Sequence, residues 1–193
     1  MLILTPASYA SIIYDNGGPD GKNGFRISDH NETVDNFTLS DAADIQSVGF
    51  YFNNFQGVTG WNHDITYNFY TGQTQASKQL ISSGAGQNVT SVDSGQAWCG
   101  TCTGGNAWLV TFDLESTLSL AEGDYWLGLT GATGTKYSFW AISGSSSKGT
   151  DFAFHLDNES TSKPDTTTVP EPSPLPLLTL GLVLLVTSRI NTH

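Results

Sequence analysis

An all-β body, an antiparallel β-sandwich or jelly roll, followed by a disordered linker and one C-terminal hydrophobic helix, is predicted by three observations. The first is period. Residues 45–52, 64–70, 107–114, 123–129 and 151–156 alternate apolar and polar side chains and are rich in β-branched and aromatic residues, which a pleated strand turns to opposite faces. The second is punctuation. Between these windows lie stretches at 15–21, 57–60, 82–86, 104–106, 131–134 and 143–147 in which Gly, Asn, Asp, Ser and Pro supply the backbone geometries that reverse a chain. The third is that no window of ten or more residues before the tail repeats its apolar positions at helical spacing. Short strands separated in this way argue for two layers of antiparallel sheet.

Taken in order, residues 1–10 look like the end of a secretory signal peptide, with the small residues Ser8 and Ala10 where a signal peptidase reads. The charged start and most of the apolar stretch of such a signal are missing, which implies a start upstream of Met1 and a mature chain beginning near Ser11; an edge strand over residues 2–10 is the alternative. Residues 11–159 then form one domain, since about 150 residues suffice for a single hydrophobic core and would be crowded as two. Lys and Arg total 7 against 18 Asp and Glu, a net charge of −11. Such a surface repels phosphate backbones, so nucleic acid is excluded as a partner.

Cys99 and Cys102, in Cys99-Gly-Thr-Cys102, are the two cysteines of the chain. In an exported protein the expectation is a local disulfide that stiffens the loop from 98 to 105, adding about 2 kcal/mol at most because the ring is small. A thiol-redox role would need a helix after the motif, which Gly104, Gly105 and the following strand pattern deny, and a zinc site would need a second pair.

The oxygen-rich residues Asp15, Asn16, Asp20, Asp29, Asn31, Glu32 and Asp35 lie on stretches that Gly17, Gly18 and Gly21 let bend tightly. They are the hard ligands that calcium takes, and Asp151 joins them if the terminal strands pair. No cofactor is required by the sequence. Structural calcium on Asp15, Asn16, Asp35 and Asp151 is the candidate, and ordinary turn-forming residues are the alternative. Trp61 and Trp98 stand in loops beside Asn62, His63 and Gln96. An exposed indole with polar neighbours can stack on a sugar ring, and packing of the loop onto the sheet is the competing fate. Trp108, Trp126 and Trp140 fall in strand windows and read as core. His30, His63, His155 and His193 show no metal-binding spacing, and no Ser sits in a nucleophile elbow. Catalytic residues are therefore not assigned.

Residues 160–172 are polar, threonine-rich and proline-bearing, an extended and solvated tether. They end in Val169-Pro170-Glu171-Pro172. Residues 173–188 follow, leucine-rich and without charge, and then Arg189 opens a five-residue tail, 189–193. Sixteen residues rise about 24 Å as a helix, against a hydrocarbon core of roughly 30 Å, so the span needs local thinning or help from its flanks. Arg189 stands where a cytoplasmic stop is expected, which puts the body outside.

This order of short motif, apolar span and basic stop resembles the PEP-CTERM sorting signal of bacterial surface proteins, and the resemblance implies recognition by a membrane protease of the exosortase type. It departs from the family in having a single basic residue, Arg189, where a cluster is usual. Tyr14-Asp-Asn-Gly-Gly-Pro, Asp35-Asn-Phe-Thr-Leu, the 45–52 strand and Glu122-Gly-Asp-Tyr-Trp-Leu also resemble the β-sandwich ectodomains that precede such signals. The resemblance implies an exported protein, anchored by its C-terminal helix and delivered to the cell envelope, surface or extracellular matrix, and leaves activity open. The lack of a catalytic motif in the residues makes a non-enzymatic role the expectation. An adhesive or glycan-binding role with extracellular polysaccharide as partner is the first expectation. An exported polysaccharide-acting hydrolase, needing two convergent carboxylates about 5 to 10 Å apart in a cleft, is the alternative.

Overall fold

The computed structural model describes residues 11–28, 31–53, 61–98, 105–131, 138–145 and 151–161, all within the compact unit Ser8–Ser162. Among them are eleven strands: β1 (Ile12–Asp15), β2 (Pro19–Arg26), β3 (Thr33–Leu39), β4 (Ala43–Asn53), β5 (Ile65–Thr71), β6 (Gln79–Ala85), β7 (Gln87–Ala97), β8 (Asn106–Leu120), β9 (Gly123–Gly131), β10 (Phe139–Ser143) and β11 (Phe154–Asp157). The one helical segment among the described residues is a 3-10 turn, Gln75–Ser77.

The strands form two antiparallel sheets of seven and four strands. In the larger, β4 is central. One of its edges pairs with β8, which in turn carries β7. The other edge is shared: β11 lies opposite Ser47 to Phe50 and β10 opposite Phe52 and Asn53, with β1 outside β11 and β2 outside β10. The smaller sheet runs β3-β9-β5-β6. All-β architecture in two antiparallel sheets is thus what the alternating windows encode.

Alternation places one row of the inner strands in a common core. Phe37, Leu39, Ile65, Tyr67, Phe69, Leu127 and Leu129 from the smaller sheet meet Ile45, Phe50, Phe52, Val110, Phe112 and Phe154 from the larger. Phe37 reaches Phe154 across the layers at 6.2 Å between ring centroids, and Tyr67 stacks on Phe112 at 5.9 Å. A register shift in β4 between Ile45 and Ser47 lets Ile45 and the opposite-parity Val48, Phe50 and Phe52 all face inward. Trp140, wholly buried, lies at the centre, 4.7 Å from Phe152 and 5.5 Å from Phe154.

Three sequence expectations change. The turn expected at 82–86 is mostly strand: Ser82 to Ala85 stay in β6 opposite β5, and only Gly86 carries the chain between sheets. There the Gly86 N–H donates to the Ile65 carbonyl at 2.8 Å, and a side chain would run into Ile65 and Phe112. The turn expected at 15–21 ends by Pro19, where β2 begins. The strand expected to end at 114 continues to Leu120, because after a second register the chain goes on pairing with Ala43 to Ile45.

The leader at 1–10, the tether beyond Thr161, the motif Val169 to Pro172, the 173–188 span, Arg189, and Cys99 and Cys102 lie outside the described residues. Among the described residues no helix is long and apolar enough to cross a membrane.

Candidate functional site

The oxygen-rich residues singled out in the sequence separate into several places. Asp20 serves its own turn, accepting from the backbone N–H groups of Lys22 at 2.7 Å and Asn23 at 3.1 Å. Asn31 closes a turn onto the Ser28 carbonyl. Glu32 lies with Asn68 and Tyr70 of β5, and Asp29 is outside the described residues. Asn16 and Asp35 do meet, with Asp151 near enough to act on the Asp35 carboxyl, because β1 pairs with β11 and so brings the two ends of the body to the edge strand β3. Asp15 instead serves its own turn and lies opposite His155, on the side of Asp157.

Asp35 is the hub. In β3 the buried row is Asp35, Phe37 and Leu39, so strand alternation turns a carboxylate inward at 4 % exposure. Its Oδ2 accepts from the Phe152 N–H at 2.7 Å and from Asn16 Nδ2 at 3.2 Å, and its Oδ1 from the Asn36 N–H at 2.9 Å. Asn16 Nδ2 also donates to the Phe152 carbonyl at 2.8 Å, while the Asn16 N–H donates to the Phe154 carbonyl at 2.9 Å. Ser143 Oγ donates to the Asn16 carbonyl, and the Ser143 N–H donates to the Asp151 carbonyl at 2.7 Å. Asp15 caps the turn by accepting from the Gly17 N–H at 2.8 Å, with Gly17 at a φ of +81° that suits glycine.

Burial pushes the Asp35 carboxyl up to about 6; the N–H donors oppose the shift and the Asp151 carboxylate adds to it. The Tyr14 phenol rises to about 12, through burial and then through Asp35, Asp151 and Asp15. Among the described residues no three Asp, Glu, His or Cys side chains stand close enough together to hold a metal. Both Asp35 oxygens face N–H donors, and calcium takes six to eight oxygen ligands. As described, the junction is a hydrogen-bonded clip joining β1, β3 and the approach to β11.

Of the two fates open to Trp61 and Trp98, packing onto the sheet is the one found, and the glycan-stacking role is corrected: each is 4 % exposed. Trp61 lies between Phe52, at 4.4 Å and 25°, and His63, at 4.8 Å and 17°. Trp98 forms a second apolar cluster with Ala107, Ala141, Tyr51 and Phe139, and a side chain at Gly24 would run into it. Burying an indole removes far more apolar surface from water than its single N–H costs, and that decides the outcome.

One anchor escaped the sequence. Asp113 of β8, 4 % exposed, accepts from Ser160 Oγ at 2.5 Å, Asn88 Nδ2 at 2.8 Å and the Thr161 N–H. Burial alone would raise its carboxyl, and these donors outweigh it and hold the group below the usual range. The signal was an acid set between Phe112 and Leu114, in the apolar first half of the strand. The last described residues, Ser160 and Thr161, are thereby fixed to the larger sheet.

Comparison with protein-family models, curated proteins and solved structures returns no match. The functional reading therefore rests on the chain's own residues.

Proposed function

We propose that this chain is an exported, non-enzymatic surface or matrix protein whose C-terminal segment is a sorting signal of the PEP-CTERM kind, processed by a membrane protease of the exosortase type. The observation that carries the reading is the order Val169-Pro170-Glu171-Pro172, uncharged apolar span 173–188, and Arg189, placed after the polar tether 160–172. The span prefers lipid, the charge stops it, and the motif marks the boundary where a membrane-embedded protease could act. The acidic all-β body, delivered outside, acts by adhesion to extracellular polysaccharide.

Replacing Pro170, Glu171 and Pro172 together by alanine is expected to leave an unprocessed form in the membrane fraction, read by immunoblot against the parent. Release of the variant at the parent's rate and size would remove the sorting reading.

The calcium alternative for Asp15, Asn16, Asp35 and Asp151 has its own measurement. An ion bound only by the folded chain raises the unfolding midpoint in proportion to the logarithm of its concentration. The clip of N–H donors predicts a midpoint that millimolar calcium leaves in place, and a rise that chelation reverses would restore the ion.

A further inference from the structure

The smaller sheet turns its second face away from the core, and that face carries an indole the core does not use. In β9, Leu127 and Leu129 point inward, so Trp126 and Gly128 fall on the opposite face. Trp126 is half-buried, and its Nε1 donates to the Gly72 carbonyl at 2.8 Å, which fixes the plane of the ring. Its cross-strand neighbours are Tyr70 in β5 and Asn36 in β3, the latter with an exposed side chain.

Beside it, the absence of a side chain at Gly128 leaves a notch that receives the Glu32 carboxylate. Glu32 accepts from Asn68 Nδ2 at 2.8 Å and from the Tyr70 hydroxyl at 2.5 Å, and Lys78 Nζ stands 3.6 Å away. Lys78 also lies over the Tyr70 ring, 4.4 Å from its centroid. Burial and then Glu32 raise the Tyr70 phenol, so its proton stays on the hydroxyl. An immobilised aromatic slab thus lies beside a network of carboxylate, amide, hydroxyl and ammonium groups that hold one another in place.

We propose that this face binds a neutral polysaccharide, with one pyranose ring stacked on Trp126 and its hydroxyls meeting the Asn36 amide and the Glu32, Asn68 and Lys78 groups. A pyranose presents C–H groups on its flat side and hydroxyls around its rim, the pattern a fixed indole bordered by polar side chains complements. Polyanions are disfavoured by the net charge of −11 and by the pairing of Lys78 with Glu32. The inference takes its ligand class from the adhesive reading above and replaces Trp61 and Trp98, both buried, as the place where a glycan stacks.

The test uses the full chain in a zwitterionic detergent, with affinity electrophoresis and calorimetry against a soluble glucan, mannan, galactan and xylan, and alginate as the acidic control. Binding of at least one neutral polysaccharide and not of alginate is expected. Trp126→Ala should weaken it by about tenfold or more, equivalent to roughly 1.4 kcal/mol. Asn36→Ala, at an exposed position, should weaken it several-fold with the unfolding midpoint unchanged. If Trp126→Ala does not unfold cooperatively, Trp126→Phe and Asn36→Ala carry the comparison. The proposal is overturned if none of the neutral polysaccharides binds, if alginate binds as well as they do, or if the folded variants bind like the parent. Each of these results leaves tail processing, read separately in the membrane fraction, untouched.

Discussion

Trp140→Ala is expected to destabilise the body by about 4 kcal/mol, within the range for emptying a buried aromatic site, and to lower the unfolding midpoint by about 10 °C for a domain of this size. Trp140 is wholly buried and has Phe50, Phe152 and Phe154 as ring neighbours, at 6.4, 4.7 and 5.5 Å. These partners come from β4, from β11 and from the segment leading into it, so their collapse into the void would have to move two strands at once. The indole also donates from Nε1 to the Ala153 carbonyl at 3.0 Å, and truncation removes that bond and leaves the Tyr51 N–H, at 3.1 Å, as the donor to this carbonyl. Trp140→Phe separates the two effects. It keeps most of the ring and drops the hydrogen bond, and should lose about half as much or less. Urea denaturation of both variants at an unchanged m-value is the measurement. A loss below about 1 kcal/mol for the alanine variant would show that the site refills and that Trp140 is not central.

The consequence reaches the junction of the termini. Phe152, whose N–H holds the Asp35 carboxylate, packs its ring on Trp140 and forms a bridge with Ile142. The clip is therefore only as firm as the aromatic core beneath it.

How much of this was legible depended on whether one side of a strand is dry and the other wet. In β5 the inward Ile65, Tyr67 and Phe69 are readable directly, as are Leu127 and Leu129 in β9, whereas Trp126, expected in the core, is half-buried on the opposite face of β9. The edge strand β7 is wet or half-wet along its whole length and gives no alternation to read. β3 was obscured for a different reason. It alternates correctly, but one of its inward positions is Asp35, so the segment reads as polar.

Local sequence left both fates open for the loop tryptophans, because their partners are distant. Nothing near residue 61 announces Phe52, and nothing near residue 98 announces Ala141 or Phe139. The approach of Asn16 and Asp151 to Asp35 depends on the pairing of the end strands β1 and β11. That Asp35 would satisfy itself with N–H groups could not be read without the register of β3 against Phe152.

The inward Asp35 carries a pH signature of definite sign. Its carboxyl has an ordinary value of 3.8 and is raised to about 6 in the folded chain, by burial first, with Asp151 adding and the donors Phe152, Asn36 and Asn16 opposing. A carboxyl whose folded value lies above its unfolded one binds its proton more tightly when folded. Its stabilising effect is therefore complete below about pH 4 and is lost as pH rises to about 6, after which the curve is flat. The loss across that window is on the order of 3 kcal/mol.

Asp35→Asn keeps the shape and cannot titrate, so the stability difference between parent and variant should shrink by that amount between about pH 4 and pH 6.5. Taking the difference matters because other groups also shift: Asp157 is raised by burial, in the same direction as Asp35, and Asp113 is lowered by its donors. Both are present in parent and variant and cancel to the extent that they are independent of Asp35. Tyr14, raised to about 12, does not titrate in this range. Urea midpoints at half-unit pH steps would trace the effect. Parallel curves for the two proteins would mean that Asp35 titrates as a solvated carboxylate, and hence that β3 does not turn it into the junction.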